Sequence, residues 1–289
     1  MPHPTLKQRA LRGLGHLAPS VLRFLARHYP GERGRWPALS VLRDDPKCRA
    51  WLGSLENPTR TRQGFRIFTL PGDLTSDWIK LFGQHEIGTE AFLRDRLQPG
   101  STFLDIGANV GYFSLLAAAS GARVIAFEPQ PAVAALLERS VEYNQQGGVI
   151  RVEAIALSNA SAEMKMTSCP GNSGHARLTA LAPTDDGSAG VPVMALDEWL
   201  RQNPTGRVSA CKIDTEGSEF NVLQGMTGLL ERDGPAIVVE VIDEFLAAYD
   251  SSGALVLGLL EAHGYREVTA KYGTPGDRNR YFVRDRKTS

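Results

Sequence analysis

Cysteine is scarce in this chain: three among 289 residues, Cys48, Cys169 and Cys211, with no CxxC pair and no zinc spacing. An odd, scattered set excludes a disulfide framework and points to a reducing, cytoplasmic compartment. Net charge is missing too. Lys+Arg and Asp+Glu number 32 each, which leaves no global field to draw nucleic acid or an anionic membrane. No apolar run approaches the ~20 residues of a membrane span. Internal repeats and long low-complexity tracts are absent. What is present, 42% hydrophobic and 22% charged residues, is ordinary globular composition. The length suits one sizeable α/β domain plus an extension.

Leu6 to Tyr29 reads as a basic helical region. Leu6, Leu14, Leu17, Val21, Leu22 and Leu25 recur at near-helical spacing among Lys7, Arg9, Arg12, Arg23 and Arg27. Charges run throughout it, so it does not read as a signal peptide. We expect residues 1–60 to form a mainly helical extension and residues 61–289 the main domain. The extension would pack on the core or on a partner subunit, which leaves room for a homodimer; a membrane-surface or acidic-partner helix is the other reading.

Gly64 to Leu70 alternates like a strand and is closed by Pro71-Gly72-Asp73. A helix is expected to start near Ser76 and carry Trp78, Ile79, Leu81 and Phe82. The segment His85-Glu86 comes next, then a helical pattern to Leu97. From residue 101 strands and helices alternate. Strands are expected at 102–106, 123–127, 149–156, 208–213 and 236–241. Helices are expected at 111–119, from a start marked by Pro129 and Pro131 through Asn144, from Ser218 to Leu230 and at 253–263. Between 161 and 195, Met164–Thr167 and Val191–Ala195 are short β candidates flanking a Gly/Ser/Pro/Asp-rich loop, and Leu196–Leu200 is a short helix. Two late strands, 265–269 and 280–283, have no helix predicted between them. Repeated βα units imply a parallel sheet with helices on both faces, and the late pair implies an antiparallel edge.

The chain is organised around Asp105-Ile-Gly107-Ala-Asn109-Val-Gly111. A buried strand, a glycine turn and a helix N-terminus make a site for the polar end of a nucleotide-like cofactor. About twenty residues on, a second apolar strand ends in Glu128-Pro129, placed to accept hydrogen bonds from ribose hydroxyls. A dinucleotide site wants G-x-G-x-x-G, and the third glycine is absent here. Asn109 tolerates the left-handed conformation, and Asp105 adds a carboxylate that suits a cationic amine better than a pyrophosphate. S-adenosylmethionine carries an ammonium and a sulfonium, so the pattern favours it over NAD. An NAD-dependent oxidoreductase and a non-catalytic binding module on the same fold remain the rival readings.

Asp105-Ile-Gly-Ala-Asn-Val-Gly-Tyr-Phe-Ser, Phe127-Glu128-Pro129, Ala156-Leu157-Ser158 and Lys212-Ile-Asp214-Thr-Glu216-Gly-Ser-Glu219, in this order, resemble the FkbM family of S-adenosylmethionine-dependent methyltransferases. The resemblance spans about residues 84–285. It implies a class I methyltransferase fold: a Rossmann-like, seven-stranded, mostly parallel sheet with helices on both faces and an antiparallel last strand. It implies O-methylation of a hydroxyl on a natural product or saccharide, with N-methylation of a small molecule as the alternative. By position it assigns Asp105, Gly107, Asn109 and Gly111 to the methionine end of the cofactor, and Glu128 to the ribose. Asn144 and the stretch ending at Ala156 would meet the adenine. Glu86 matches a family position ahead of the first core strand.

A hydroxyl acceptor benefits from a base as its proton leaves. The place for that base is the carboxyl end of strand 208–213, where Lys212, Asp214, Glu216 and Glu219 crowd together. Asp214 is the leading candidate, as base, acceptor clamp or cofactor contact, with Glu216 second. Lys212 is a base or a counter-charge, and Glu219 reads as a first-turn helix charge. Glu240 ends an otherwise apolar strand, and His175 lies in an irregular loop of the kind that covers active sites. Asp214, Glu216 and Glu240 would suit Mg²⁺ or Ca²⁺, but their spacing is not diagnostic and no metal is assigned.

Overall fold

The computed structural model describes residues 46–52, 58–167, 176–180, 190–273 and 277–285, together with Phe24, Ala26, Arg27, His28, Leu39, Arg43 and Ser173. His175, Cys169 and most of the basic N-terminal region therefore lie outside the described residues. Strands in chain order are β1 Thr59–Arg60, β2 Arg66–Ile67, β3 Thr102–Ile106, β4 Arg123–Phe127, β5 Ile150–Glu153, β6 Ala156–Ser158, β7 Ala162–Thr167, β8 Arg177–Ala180, β9 Val191–Ala195, β10 Val208–Ile213, β11 Ala236–Glu240, β12 Tyr265–Glu267 and β13 Asn279–Arg284.

Seven of these form the central sheet in the order β12-β13-β11-β10-β3-β4-β5. β10, β3, β4, β5 and β11 run parallel, and β13 enters antiparallel between β11 and β12. This is the seven-stranded, mostly parallel α/β sheet with an antiparallel last strand, as expected. The order reverses where β3 meets β10, so their carboxyl ends diverge into a crevice suited to a ligand.

Alternation along the buried strands divides the core. Phe103 and Ala210 face one cluster with Tyr112, Phe113 and Leu116 from the helix Tyr112–Ala119. Leu104, Ile106, Cys211 and Ile213 face the other, with Trp199, Val222 and Leu260. Asp105 and Lys212 are paired neighbours on adjacent strands, on the same side as Phe103 and Ala210 by that alternation.

Five expectations change. A short helix, Thr269–Tyr272, lies between the two late strands, where none was expected. The strand expected at 149–156 splits: β5 stays in the central sheet, while β6 leaves it for a second, four-stranded sheet ordered β6-β9-β7-β8. The helix expected at 218–230 breaks into Glu219–Gln224 and Thr227–Arg232. At the break, a Cβ on Gly225 would lie 2.0 Å from the carbonyl oxygen of Ser158, so β6 presses against that corner. The strand expected at 64–70 narrows to Arg66–Ile67, paired with Thr59–Arg60. The first helix of the main domain starts at Leu74 rather than near Ser76, because Asp73 caps it by accepting from Ser76 N at 2.8 Å. Among the described residues no single helix is long and apolar enough to cross a membrane.

Candidate active site

The crevice is a cavity of about 910 Å³, within the usual range for small-molecule sites. Its floor is the turn after β3. Gly107 has φ 76°, and a Cβ there would come within 1.8 Å of the Asp214 carbonyl oxygen. The turn and the end of β10 therefore touch through backbone alone, which only glycine permits. Gly111, φ 86°, lets the helix that follows pack on Leu137, whose Cδ1 would lie 2.1 Å from an added Cβ. Asn109, φ 51°, takes the left-handed position between them. Of the described non-glycine residues with positive φ, Glu86, Asn109 and Glu216 line the cavity, whereas Gln145 and Asp250 do not. Strained backbone gathered at a cleft is a mark of a functional site.

One end of the cavity is lined by Gly107, Asn109, Phe127, Glu128, Pro129, Gln130, Ile155, Ala156 and Leu157. Glu128 is 3% exposed. Its Oε2 accepts from Asn109 N at 2.8 Å and its Oε1 from Gln130 N at 2.9 Å. Burial raises its pKa to about 7 despite these two amides.

The other end carries Glu86, Lys212, Asp214, Glu216, Glu240, Asp277, Arg278 and Asn279. Lys212 Nζ donates to Asp214 Oδ2 at 2.7 Å and stands 5.3 Å from the centre of the Phe113 ring. Burial alone would lower the Lys212 pKa, but Asp214, Glu86 and Asp105 outweigh it and raise the value. Asp214, Glu216 and Glu240 each bring a carboxylate oxygen within 4.8 Å of the others. Burial, then repulsion from Asp214 and its neighbours, pushes Glu216 up to about 9 and Glu240 to about 10. Glu216 Oε2 is buried with no hydrogen-bond partner among the described residues. Glu86 is held in its left-handed conformation by Thr89 Oγ1 at 3.1 Å and Asn279 Nδ2 at 2.8 Å, both donating to Oε2.

The fold thus brings Glu86, Gly107, Asn109, Glu128, Pro129, Ala156, Lys212, Asp214, Glu216 and Glu240 around one cavity. Three expected residues stand elsewhere. Asp105 is 1% exposed and does not line the cavity. Its side chain turns toward the helix that follows, where Oδ2 accepts from Ser114 Oγ at 2.6 Å and Oδ1 has no partner among the described residues. Burial raises its pKa against the pull of Lys212. Gly111 is likewise outside the lining, occupied with Leu137. Asn144 is also outside the lining: it caps the helix Pro131–Tyr143, and its Oδ1 and Nδ2 pair with the N and O of Arg66 on β2 at 2.9 and 2.5 Å. Glu219 is more than a first-turn charge. It is 2% exposed and its Oε1 gathers Thr215 N at 2.8 Å and Gly217 N at 3.1 Å, which closes the turn after β10.

Sequence reasoning missed Asp73, Gln130, Ser173 and Asn279. Asp73 had a local signal, an Asp three residues before Ser76 at a helix start. Gln130 stands two residues after Glu128 and pairs with it locally, while Ser173 and Asn279 meet the site only through the fold.

The Methyltransferase FkbM domain family matches residues 105–267, more than half of the chain. The chain is 28% identical over 204 residues to 31-O-demethyl-FK506 methyltransferase FkbM of Streptomyces tacrolimicus, covering 60% of this chain and 75% of that protein. It is also 28% identical over 216 residues to AMB antimetabolite synthetase AmbE of Pseudomonas aeruginosa, covering 61% of this chain but spanning only 10% of that much longer protein. The crystal structure of a methyltransferase FkbM from Methylobacillus flagellatus aligns over 91% of this chain and 58% of that one, with a TM-score of 0.45 and 14% identity. With the family's matched region running from the turn through the acid-rich strand end to β12, the chain belongs to the FkbM methyltransferase family.

Proposed function

We propose that this methyltransferase uses S-adenosylmethionine and methylates a hydroxyl of a natural product or saccharide. The observation that carries the reading is the contact of Gly107 with Asp214, which makes the glycine turn and the acid-rich strand end two walls of one cavity. The donor set suits the cofactor. Each Glu128 oxygen takes one backbone N–H, and a carboxylate has about four acceptor positions, so capacity remains for ribose hydroxyls. Phe127, Pro129, Ile155, Ala156 and Leu157 offer apolar surface for a flat base. The Asp214 carboxylate at the far end suits an ammonium and a sulfonium.

When bound, S-adenosylmethionine supplies an electrophilic methyl group on sulfur. The chain contributes alignment and exclusion of water. Asp214 gives Oδ2 to Lys212, which leaves Oδ1 to accept the proton of an incoming hydroxyl. Glu216 and Glu240, protonated at neutral pH, donate hydrogen bonds to acceptor oxygens and so orient them. The likeness to a relative named for an O-demethyl substrate supports oxygen as the acceptor atom.

Calorimetry with S-adenosylmethionine, S-adenosylhomocysteine and NAD tests the cofactor. Binding of NAD and of neither sulfur compound would remove the reading. Methyl-labelled cofactor offered with saccharides and hydroxylated polyketides tests the acceptor; label recovered on nitrogen would replace O- by N-methylation. Asp214→Asn is expected to cut turnover by roughly 10²-fold or more and to leave S-adenosylhomocysteine affinity nearly unchanged. The reverse ordering would overturn the role given to Asp214.

A further inference from the structure

Ser173 joins three segments far apart in sequence. Its backbone N donates to Asp73 Oδ2 at 2.7 Å, and its Oγ lies 2.9 Å from the same oxygen. Asn109 Nδ2 reaches Ser173 Oγ at 3.2 Å, Asn109 Oδ1 lies 3.3 Å from it, and Gln130 Nε2 donates to the Ser173 carbonyl at 3.0 Å. A hydroxyl has one proton. The shorter contact to a carboxylate takes it, so Ser173 Oγ donates to Asp73 and accepts from Asn109 Nδ2. The result is a directed chain from Asn109 through Ser173 to Asp73, in which each bond polarises the next.

Asp73 is 3% exposed and divides its oxygens: Oδ1 caps the helix Leu74–Phe82, and Oδ2 serves only Ser173 among the described residues. Asn109 and Gln130 flank Glu128, and both line the cavity with Ser173. Leu74, Thr75, Trp78 and Ile79 of the capped helix line it as well. Capping the helix needs only Oδ1. Nothing in the helix itself requires the second oxygen, whose two donors both come from Ser173.

We propose that Asp73 and Ser173 are positioning residues for the cofactor: they hold the Asn109 side chain and tie the helix Leu74–Phe82 to the glycine turn, so that the cofactor leaves slowly. The proposal rests on the reading of the cavity as an S-adenosylmethionine site. The probe is S-adenosylhomocysteine, with dissociation followed by surface plasmon resonance on the full chain. Ser173→Ala and Asp73→Asn should each release it roughly tenfold faster, the scale of one charge-assisted hydrogen bond. Asp73→Asn keeps an oxygen for the helix cap, so the ligand-free melting temperature should stay close to that of the wild type. Ser173→Thr, which keeps the hydroxyl, should restore slow release. The double variant should be no faster than either single variant, because both break one chain.

Equal release rates in wild type and Ser173→Ala would overturn the proposal while leaving the cofactor reading intact. So would additive effects in the double variant, or a fall in melting temperature with no change in release. A wild-type chain that does not bind S-adenosylhomocysteine would instead remove the reading of the site itself.

Discussion

At the Glu128 end of the cavity each carboxylate oxygen already has a backbone N–H, from Asn109 and Gln130. At the Glu216–Glu240 end, three carboxylates from two strand ends converge beside Lys212, and Glu216 Oε2 is buried with no hydrogen-bond partner among the described residues. The first end already has a partner on each oxygen, with acceptor capacity left over: the residues that pair with Glu128 are its neighbours in the turn and at the helix start. The second end is left short of positive charge, and Glu216 and Glu240 stay protonated to compensate. Holding a ligand and acting on one thus call for opposite arrangements, a satisfied acid in one case and unsatisfied acids in the other.

Removing the buried cation that pairs with Asp214 should do most damage. Lys212→Met leaves Asp105 and Asp214 without their counter-charge in a buried setting, and we expect about 3–5 kcal/mol of lost stability in urea unfolding. A loss under about 1 kcal/mol would mean that the acids reach water or a proton as easily as they reach Lys212. Next is Glu128→Ala, which strands two backbone N–H groups. It should cost about 2–3 kcal/mol and weaken S-adenosylhomocysteine binding about 100-fold by calorimetry. Unchanged binding would show that this end is structural only.

The pH dependence separates the two ends more finely. Glu240 has its ordinary value at 4.5 and about 10 in the fold, and Glu216 about 9. The folded state therefore holds protons that the unfolded chain has already released. Stability contributed by these groups is full below about pH 4.5 and is lost as pH rises toward 9–10. Glu128 adds the same sign over a narrower window, from 4.5 to about 7. The ligand-free melting temperature should decline between about pH 4.5 and pH 10, and Glu240→Gln should flatten that decline across the whole window. An identical slope in the variant would detach Glu240 from the effect. The smallest change is expected away from both ends. Asn144→Ala should cost about 1–2 kcal/mol through its lost contacts with Arg66 and leave S-adenosylhomocysteine affinity as it was. A weakened affinity would return Asn144 to the cofactor.

Much of this molecule is legible in its residues because the relevant forces are local. Phe103 to Ile106 and Val124 to Phe127 are apolar runs closed by turn residues, and they form β3 and β4. Gly107, Asn109 and Gly111 take the left-handed positions their side chains allow. The antiparallel pair β12 and β13 was read from two strands with no helix between them, and the pairing holds although the short helix Thr269–Tyr272 sits in that connection. Other features could not be read. Ile150 to Ala156 reads as one strand, yet it serves two sheets, because β9 offers β6 a partner. Asn144 carries the signature of a helix end and of a polar ligand contact alike; only the nearness of Arg66 decides between them.

The sequence by itself determined the βα alternation, the glycine turn and the acid-rich strand end, since periodicity, left-handed backbone and charge density act within a few residues. Tertiary structure alone decided that Gly107 touches Asp214, that Asp105 turns away toward Ser114, and that Ser173 reaches both Asp73 and Asn109. Those contacts depend on which strands lie side by side and how far one end overhangs the next, and that is set by the packing of the whole sheet.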